Sequence, residues 1–183
     1  MDAIAVHAPV LPMAFGTIIP SEAELIQNVL LPNENEHSAL LEHFTGSVQF
    51  TVRARYLRDE VLADLVAENP DVARLRETIA GTTETQTRQA RIQLGELIVQ
   101  AFDQIRPHHA EHIVTAIQPV VQQMQQREVG QVEDVVELAV LVSSDEVKRF
   151  EDALESVASE LHARIDFQLL GPQAPYDFVG IDE

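Results

Sequence analysis

The chain has no cysteine and no tryptophan, and Lys148 is its single lysine. Without cysteine there is no disulfide and no thiolate chemistry. Lys and Arg together number 12 against 30 Asp and Glu, a formal net charge of -18. A polyanionic partner needs basic patches that neutralise phosphates. The densest basic stretch here is Arg53, Arg55 and Arg58, and Asp59 and Glu60 follow at once. Nucleic acid and anionic membrane surfaces are therefore set aside as partners. No apolar run approaches the roughly 20 residues of a membrane-spanning helix. The N-terminus shows no basic stretch followed by an apolar core, so no signal peptide is read and a cytoplasmic location is the expectation. The 7 glycines are isolated, which leaves no Walker or dinucleotide loop.

What remains is a chain of 183 residues with 45% apolar content. That suffices for one domain, or for two small ones sharing an interface. Val10–Ile19 is apolar and punctuated by Pro12 and Gly16, the pattern of a buried or edge strand and a turn. Ser21 with Glu24 forms a capping box before a short helix bearing Leu25, Ile26, Val29 and Leu30. Glu36–Phe44 reads as a second short helix stopped by Gly46. From Val48 to Tyr56, apolar residues alternate with Gln49, Thr51, Arg53 and Arg55, which predicts a strand with one wet face.

From Asp59 the period turns helical, with a break at Asn69-Pro70, a stop at Gly81 and an interruption at Pro107. The polar run Gln122–Glu128 suits a last helical stretch or a weak strand. Val135–Val142 reads as a buried strand. Ser144 is expected to cap a helix carrying Phe150, Leu154 and Leu161, and Ile165–Leu170 is the final strand. Helices mixed with antiparallel strands give an α+β class, with a ferredoxin-like arrangement in view.

The one cluster that hints at chemistry is Pro107-His108-His109-Ala110-Glu111-His112. His108 and His112 lie four apart and share a helix face, with Glu111 as a base, so the string matches the H-x-x-E-H zinc-peptidase pattern. The pattern is short, and neither a third ligand nor an oxyanion stabiliser can be identified. The plainer reading is a polar, proline-initiated helix turn. His7, His37, His43 and His162 are scattered, and no serine sits in a nucleophile elbow. No catalytic, cofactor-binding or metal-binding residue is assigned, and a binding protein that is not an enzyme is the stronger expectation.

Two segments carry a family resemblance. One is Val10-Leu11-Pro12-Met13-Ala14-Phe15-Gly16-Thr17 with Ile19-Pro20-Ser21-Glu22; the other is Leu170-Gly171-Pro172 with Pro175-Tyr176-Asp177-Phe178-Val179. Together with the strand Val136–Val142 leading to Phe150, they resemble the gas vesicle protein L/F family. Ala14 stands where a basic residue is common, and Gln173 where tryptophan is usual. The resemblance is to a member lacking the first part of its N-terminal domain. The expected layout is therefore an incomplete N-terminal ferredoxin-like part (residues 1–58) and a modified ferredoxin-like C-terminal α+β domain with long helices. That second domain spans residues 59–183, with a helical segment at 59–118.

The resemblance implies a non-enzymatic accessory role in gas vesicle assembly. Expected partners are the small hydrophobic shell protein and other gas vesicle proteins, in the cytoplasm and at the vesicle. A soluble acidic protein with an exposed strand edge or apolar groove is suited to holding an apolar subunit. Phe15, Tyr176 and Phe178 are the candidate contacts, because aromatics anchor interfaces; core packing is the alternative for each. An unpaired edge near Val10 would also favour a homo-oligomer. Two other functions stay open: a zinc-dependent hydrolase using His108, Glu111 and His112, and a generic α+β interaction module.

Overall fold

The computed structural model describes residues 2–5, 7–14, 16–80, 82 and 84–179. Before the sheet come α1 (Asp2–Ala5), α2 (Glu22–Glu24) and α3 (Glu34–Phe44). The Ser21 hydroxyl accepts from the Glu24 N–H at 3.2 Å, the N-cap that the sequence promised. Over Leu25–Leu30 the same helix widens into a π-helical stretch that ends with the Leu31 N–H on the Ile26 carbonyl. The expected strand at Val10–Ile19 is corrected: the described residues there run as an irregular segment. Pro9 and Pro12 supply no N–H to a ladder, and Gly16 turns the chain at φ +85.

Strand β1 (Ser47–Tyr56) follows, then α4 (Arg58–Glu68), α5 (Pro70–Ile79) and α6 (Glu84–Ile117). Asn69 separates α4 from α5 by accepting from the N–H groups of Asp71 and Val72, with Pro70 as the first helical residue. Helix α6 continues through Pro107, against the expected interruption. A proline removes one helical hydrogen bond, but Phe102 on one side of it and Ile113 and Ile117 on the other are all fully buried. Their packing holds the two halves to one axis.

The chain closes with β2 (Gln123–Arg127), β3 (Asp134–Ser143), α7 (Val147–Leu161) and β4 (Ile165–Gln173). The ambiguous polar run is thus a strand. Ser144 does not cap α7. It lies in the preceding turn, its N–H donating to the Gly46 carbonyl at 2.7 Å, and the N-cap position falls to Glu146.

All strand pairs are antiparallel, in the order β2-β3-β1-β4. Strand, helices, two strands, helix, strand in that spatial order is the ferredoxin-like pattern, its first crossover enlarged to three helices. The expected division at residue 58 would cut this unit, because β1 sits between β3 and β4. Among the described residues before Ser47 there are helices and loops but no strand.

One sheet face is apolar. Val48, Phe50, Val52, Ala54 and Tyr56 of β1, with Val136, Leu138, Val140 and Val142 of β3, pack against Phe102, Ile113 and Ile117 of α6 and Phe150, Leu154 and Val157 of α7. The Phe50 and Phe150 rings lie 5.4 Å apart, and those of Tyr56 and Phe102 5.0 Å. Full burial of each such side chain stabilises by roughly 1.5–3 kcal/mol, which makes this layer the main source of stability.

Gly171 lies in β4 at φ +144, and a Cβ there would stand 2.6 Å from the Phe50 ring and 3.0 Å from the Gln49 carbonyl oxygen. Gly171→Ala is expected to cost about 2 kcal/mol or more through strain and overpacking. Gly130→Ala, which meets open space, should change stability by less than about 0.5 kcal/mol. Urea unfolding of both variants checks this; equal midpoints would sink the account.

Candidate functional site

The second sheet face is polar along most of its length. Arg53 of β1 and Arg127 of β2 stand directly opposite Glu137 of β3, one on each side. Arg53 donates to Glu137 at 3.0 and 3.3 Å, and Arg127 donates to it at 2.6 Å. Arg127 also donates twice, from Nε and Nη2, to the Asp177 carboxylate at 2.9 and 2.6 Å. Such a fork is the stronger geometry for a charged pair. Gln49, buried, completes the docking: its amide N–H₂ donates to Asp177, and its Oε1 accepts from the Asp177 backbone N–H at 3.1 Å. Burial would raise the Glu137 carboxyl, but the hydrogen bonds and charges of Arg127 and Arg53 outweigh it and hold the group below its ordinary value. The bond to Asp177, more than any other cause, raises Arg127.

This network clamps the C-terminal segment across the sheet. Phe178 then enters a small apolar cluster with Phe44 of α3 and with Ala139 and Leu141 of β3, against which Leu11, Leu40 and Val179 pack. Of the three candidate contacts, Phe178 is therefore core, only 4% exposed, while Tyr176 is 48% exposed. Phe15 lies outside the described residues.

Beside that cluster opens an apolar groove of about 550 Å³. Its walls are Leu25, Val29 and Leu30 from the helix after Ser21 and Leu40 and Leu41 from α3; Leu11, Pro12 and Val179 also line it. Further apolar side chains in the same stretch face solvent, including Ile18 (88% exposed) and Leu31 (60%). A run of large exposed aliphatics is unusual for a surface with no partner. The apolar spacing of both helices was legible in the sequence. That their faces meet to leave a trough was not, since it depends on the path of residues 9–13 and on where Val179 docks.

The histidine turn gathers less. His112 pairs with Glu160 of α7 at 3.0 Å, and His109 hydrogen-bonds the Tyr56 hydroxyl at 2.8 Å. Burial pushes Tyr56 up to about 12, the charge of Arg106 offsetting it slightly. Burial, followed by the charges of His108, Arg164 and His112, holds His109 below its usual range. Glu111 faces a different opening, a cleft of about 880 Å³ between α6 and β2 that also meets Arg106 and Arg127. The motif's residues thus diverge. Among the described residues no three His, Cys, Asp or Glu side chains come together in a way that could hold a metal ion. No helix there is long and apolar enough to cross a membrane.

Fold and surface together define an acidic α+β protein with an open apolar groove beside a ferredoxin-like sheet. The family model "Gas vesicle synthesis protein GvpL/GvpF" matches residues 1–180, and the chain belongs to that family. Its role accordingly lies with gas vesicles. It is similar to gas vesicle protein F of Streptomyces sp. (strain CB03234), 28% identical over 171 residues that cover 93% of this chain and 70% of that protein. The crystal structure of GvpF from Anabaena sp. PCC7120 superposes with a TM-score of 0.72 at 17% identity, covering 94% of this chain and 70% of the other. GvpF from Microcystis aeruginosa gives a TM-score of 0.66 at 15% identity, covering 92% and 69%. At those identities the two structures establish a shared fold.

Truncation separates the roles in the tail. Phe178→Ala is expected to cost about 3 kcal/mol and Tyr176→Ala less than about 0.5 kcal/mol, read from urea midpoints; equal costs would contradict the placement. The clamp also has a pH signature. A carboxyl depressed by folding contributes stability that is intact above its unfolded value, 4.5 for Glu137, and lost as pH falls through the folded one. The stability gap between the parent and Glu137→Gln should therefore narrow between about pH 5 and pH 3. A gap independent of pH would show that Arg127 and Arg53 do not hold the Glu137 carboxyl in its ionised form.

Proposed function

We propose that this chain is a non-catalytic accessory protein of gas vesicle assembly that binds the hydrophobic shell protein through the groove between α3 and the helix after Ser21. The observation that carries the reading is the groove itself, an apolar trough flanked by exposed Leu30 and Leu31 on a protein of net charge -18. A subunit destined for an apolar shell aggregates unless its surface is covered before it polymerises. An acidic carrier with an apolar trough covers it while charge keeps the complex dispersed. The working parts would be the groove-forming segment 2–46 and the ferredoxin-like unit 47–173, bridged by the clamped tail. Exposed Tyr176 is a further contact in this reading, and so is Phe15. Other gas vesicle proteins are the expected additional partners, met in the cytoplasm and at the vesicle.

The zinc-hydrolase alternative has less support, because His112 is engaged by Glu160 while Glu111 faces the cleft on the β2 side.

The test is co-purification of the shell protein with the parent chain and with Leu30→Asp/Leu31→Asp. Both leucines are largely exposed, so the fold should persist while retention drops about tenfold or more. Retention equal to the parent's would remove the groove from the proposal, and no retention by the parent would remove the partner. In cells, His108→Ala/His112→Ala should leave vesicle formation unchanged; its loss in a folded variant would revive the hydrolase.

A further inference from the structure

The groove's surroundings say more about its occupant than the groove does. Residues 1–52 contain no lysine or arginine, while Glu22, Glu24, Glu34, Glu36 and Glu42 all lie on the elements that build the trough. Glu36 lines it directly. All five side chains are exposed, and none forms an ion pair among the described residues. The contrast with the sheet is sharp, since there Glu137, Asp134 and Asp177 each meet an arginine. The apolar trough therefore sits in an uncompensated negative field, which favours a cationic partner over a neutral or anionic one.

The form of that partner follows from the walls. Leu25 and Val29 on one side, and Glu36, His37, Leu40 and Leu41 on the other, project from two helical segments. A groove between two helices receives the ridge of a third. An added strand would need a backbone edge with free N–H groups. The irregular stretch along this groove, residues 9–13, contains Pro9 and Pro12, which offer none.

We infer that the groove receives an amphipathic α-helix whose apolar stripe enters between Leu25, Val29, Leu40 and Leu41 and whose flanking Lys or Arg residues meet Glu34 and Glu36. This rests on the reading of the groove as a docking site and adds the shape and charge of what docks.

The probes are two synthetic helical peptides with the same leucine stripe, one flanked by lysine and one by glutamate, titrated into the full chain by fluorescence anisotropy. The lysine-flanked peptide is expected to bind about tenfold more tightly at low salt, as a few rim pairs allow. The difference should shrink in high salt. Glu34→Lys/Glu36→Lys should abolish or reverse the preference. Glu151→Lys/Glu155→Lys, equal in charge change but on α7 across the sheet, should retain it. Leu30→Asp should weaken both peptides. If the α7 variant shifts the preference as much as the groove variant, overall charge is the cause and the inference falls. Equal binding of the two peptides also overturns it. If neither peptide binds while the shell protein still co-purifies, the helix model fails and the docking reading stands. A chain that self-associates through the groove in sedimentation, with Leu30→Asp restoring the monomer, would replace the helix with a second copy.

Discussion

Burial of one face of the sheet beneath α6 and α7 is the constraint on which the rest of this structure depends. Strand β1 sits in the interior of the sheet, and every second side chain from Val48 to Tyr56 faces the helices. Slipping the register by one residue would turn Gln49, Thr51, Arg53 and Arg55 into that layer. Burying unpaired arginines costs several kcal/mol each, so the register is closely specified. The same layer holds α6 to one axis across Pro107 and places α7 where Phe150 meets Phe50.

With the register set, the other face inherits its chemistry. Arg53, Glu137 and Arg127 fall into one row across three strands because period-two alternation puts them there. The row is partly exposed, so its net stabilisation is modest beside that of the apolar layer. Its contribution is directional. Arg127 and Gln49 hold Asp177 at a fixed point, and Phe178 is thereby delivered to the pocket made by Phe44, Ala139 and Leu141. Burial of that ring supplies the larger share of the energy, and the charged fork selects where the tail lies. Val179, one residue on, then becomes part of the groove.

The groove thus depends on long-range structure as well as on its own helices. It joins residues near the N-terminus to the end of the described chain, with the sheet between them. The apolar layer under α6 and α7 is buried, whereas apolar side chains are exposed on the adjoining helical layer. The enlarged crossover of α4, α5 and α6 leaves the sheet order of the ferredoxin-like pattern intact.

Much of this was legible from the residues. Strand β1, the buried strand β3, the helix around Phe150, the Ser21 cap and the break at Asn69-Pro70 all follow from local rules of period, capping and backbone stiffness. The two motifs that carry the family resemblance were equally plain. Other features misled for a physical reason. Val10–Ile19 has the composition of a strand, but a strand also needs a neighbour, and Pro12 within it and Pro9 just before it supply no N–H to pair with one. Ser144 has the chemistry of a cap, but its backbone is held by Gly46. Pro107 should break a helix, but packing on both sides outweighs one lost hydrogen bond. His108, Glu111 and His112 are close in sequence, yet their surroundings draw the last two apart. The sequence by itself determined the apolar periodicities, the negative charge and the absence of cations before Arg53, since these are properties of residues one at a time or a few apart. Tertiary structure alone decided that Phe178 is buried, that Asp177 meets Arg127, and that two helix faces meet to leave a trough, because each joins residues from distant parts of the chain whose meeting no local rule encodes.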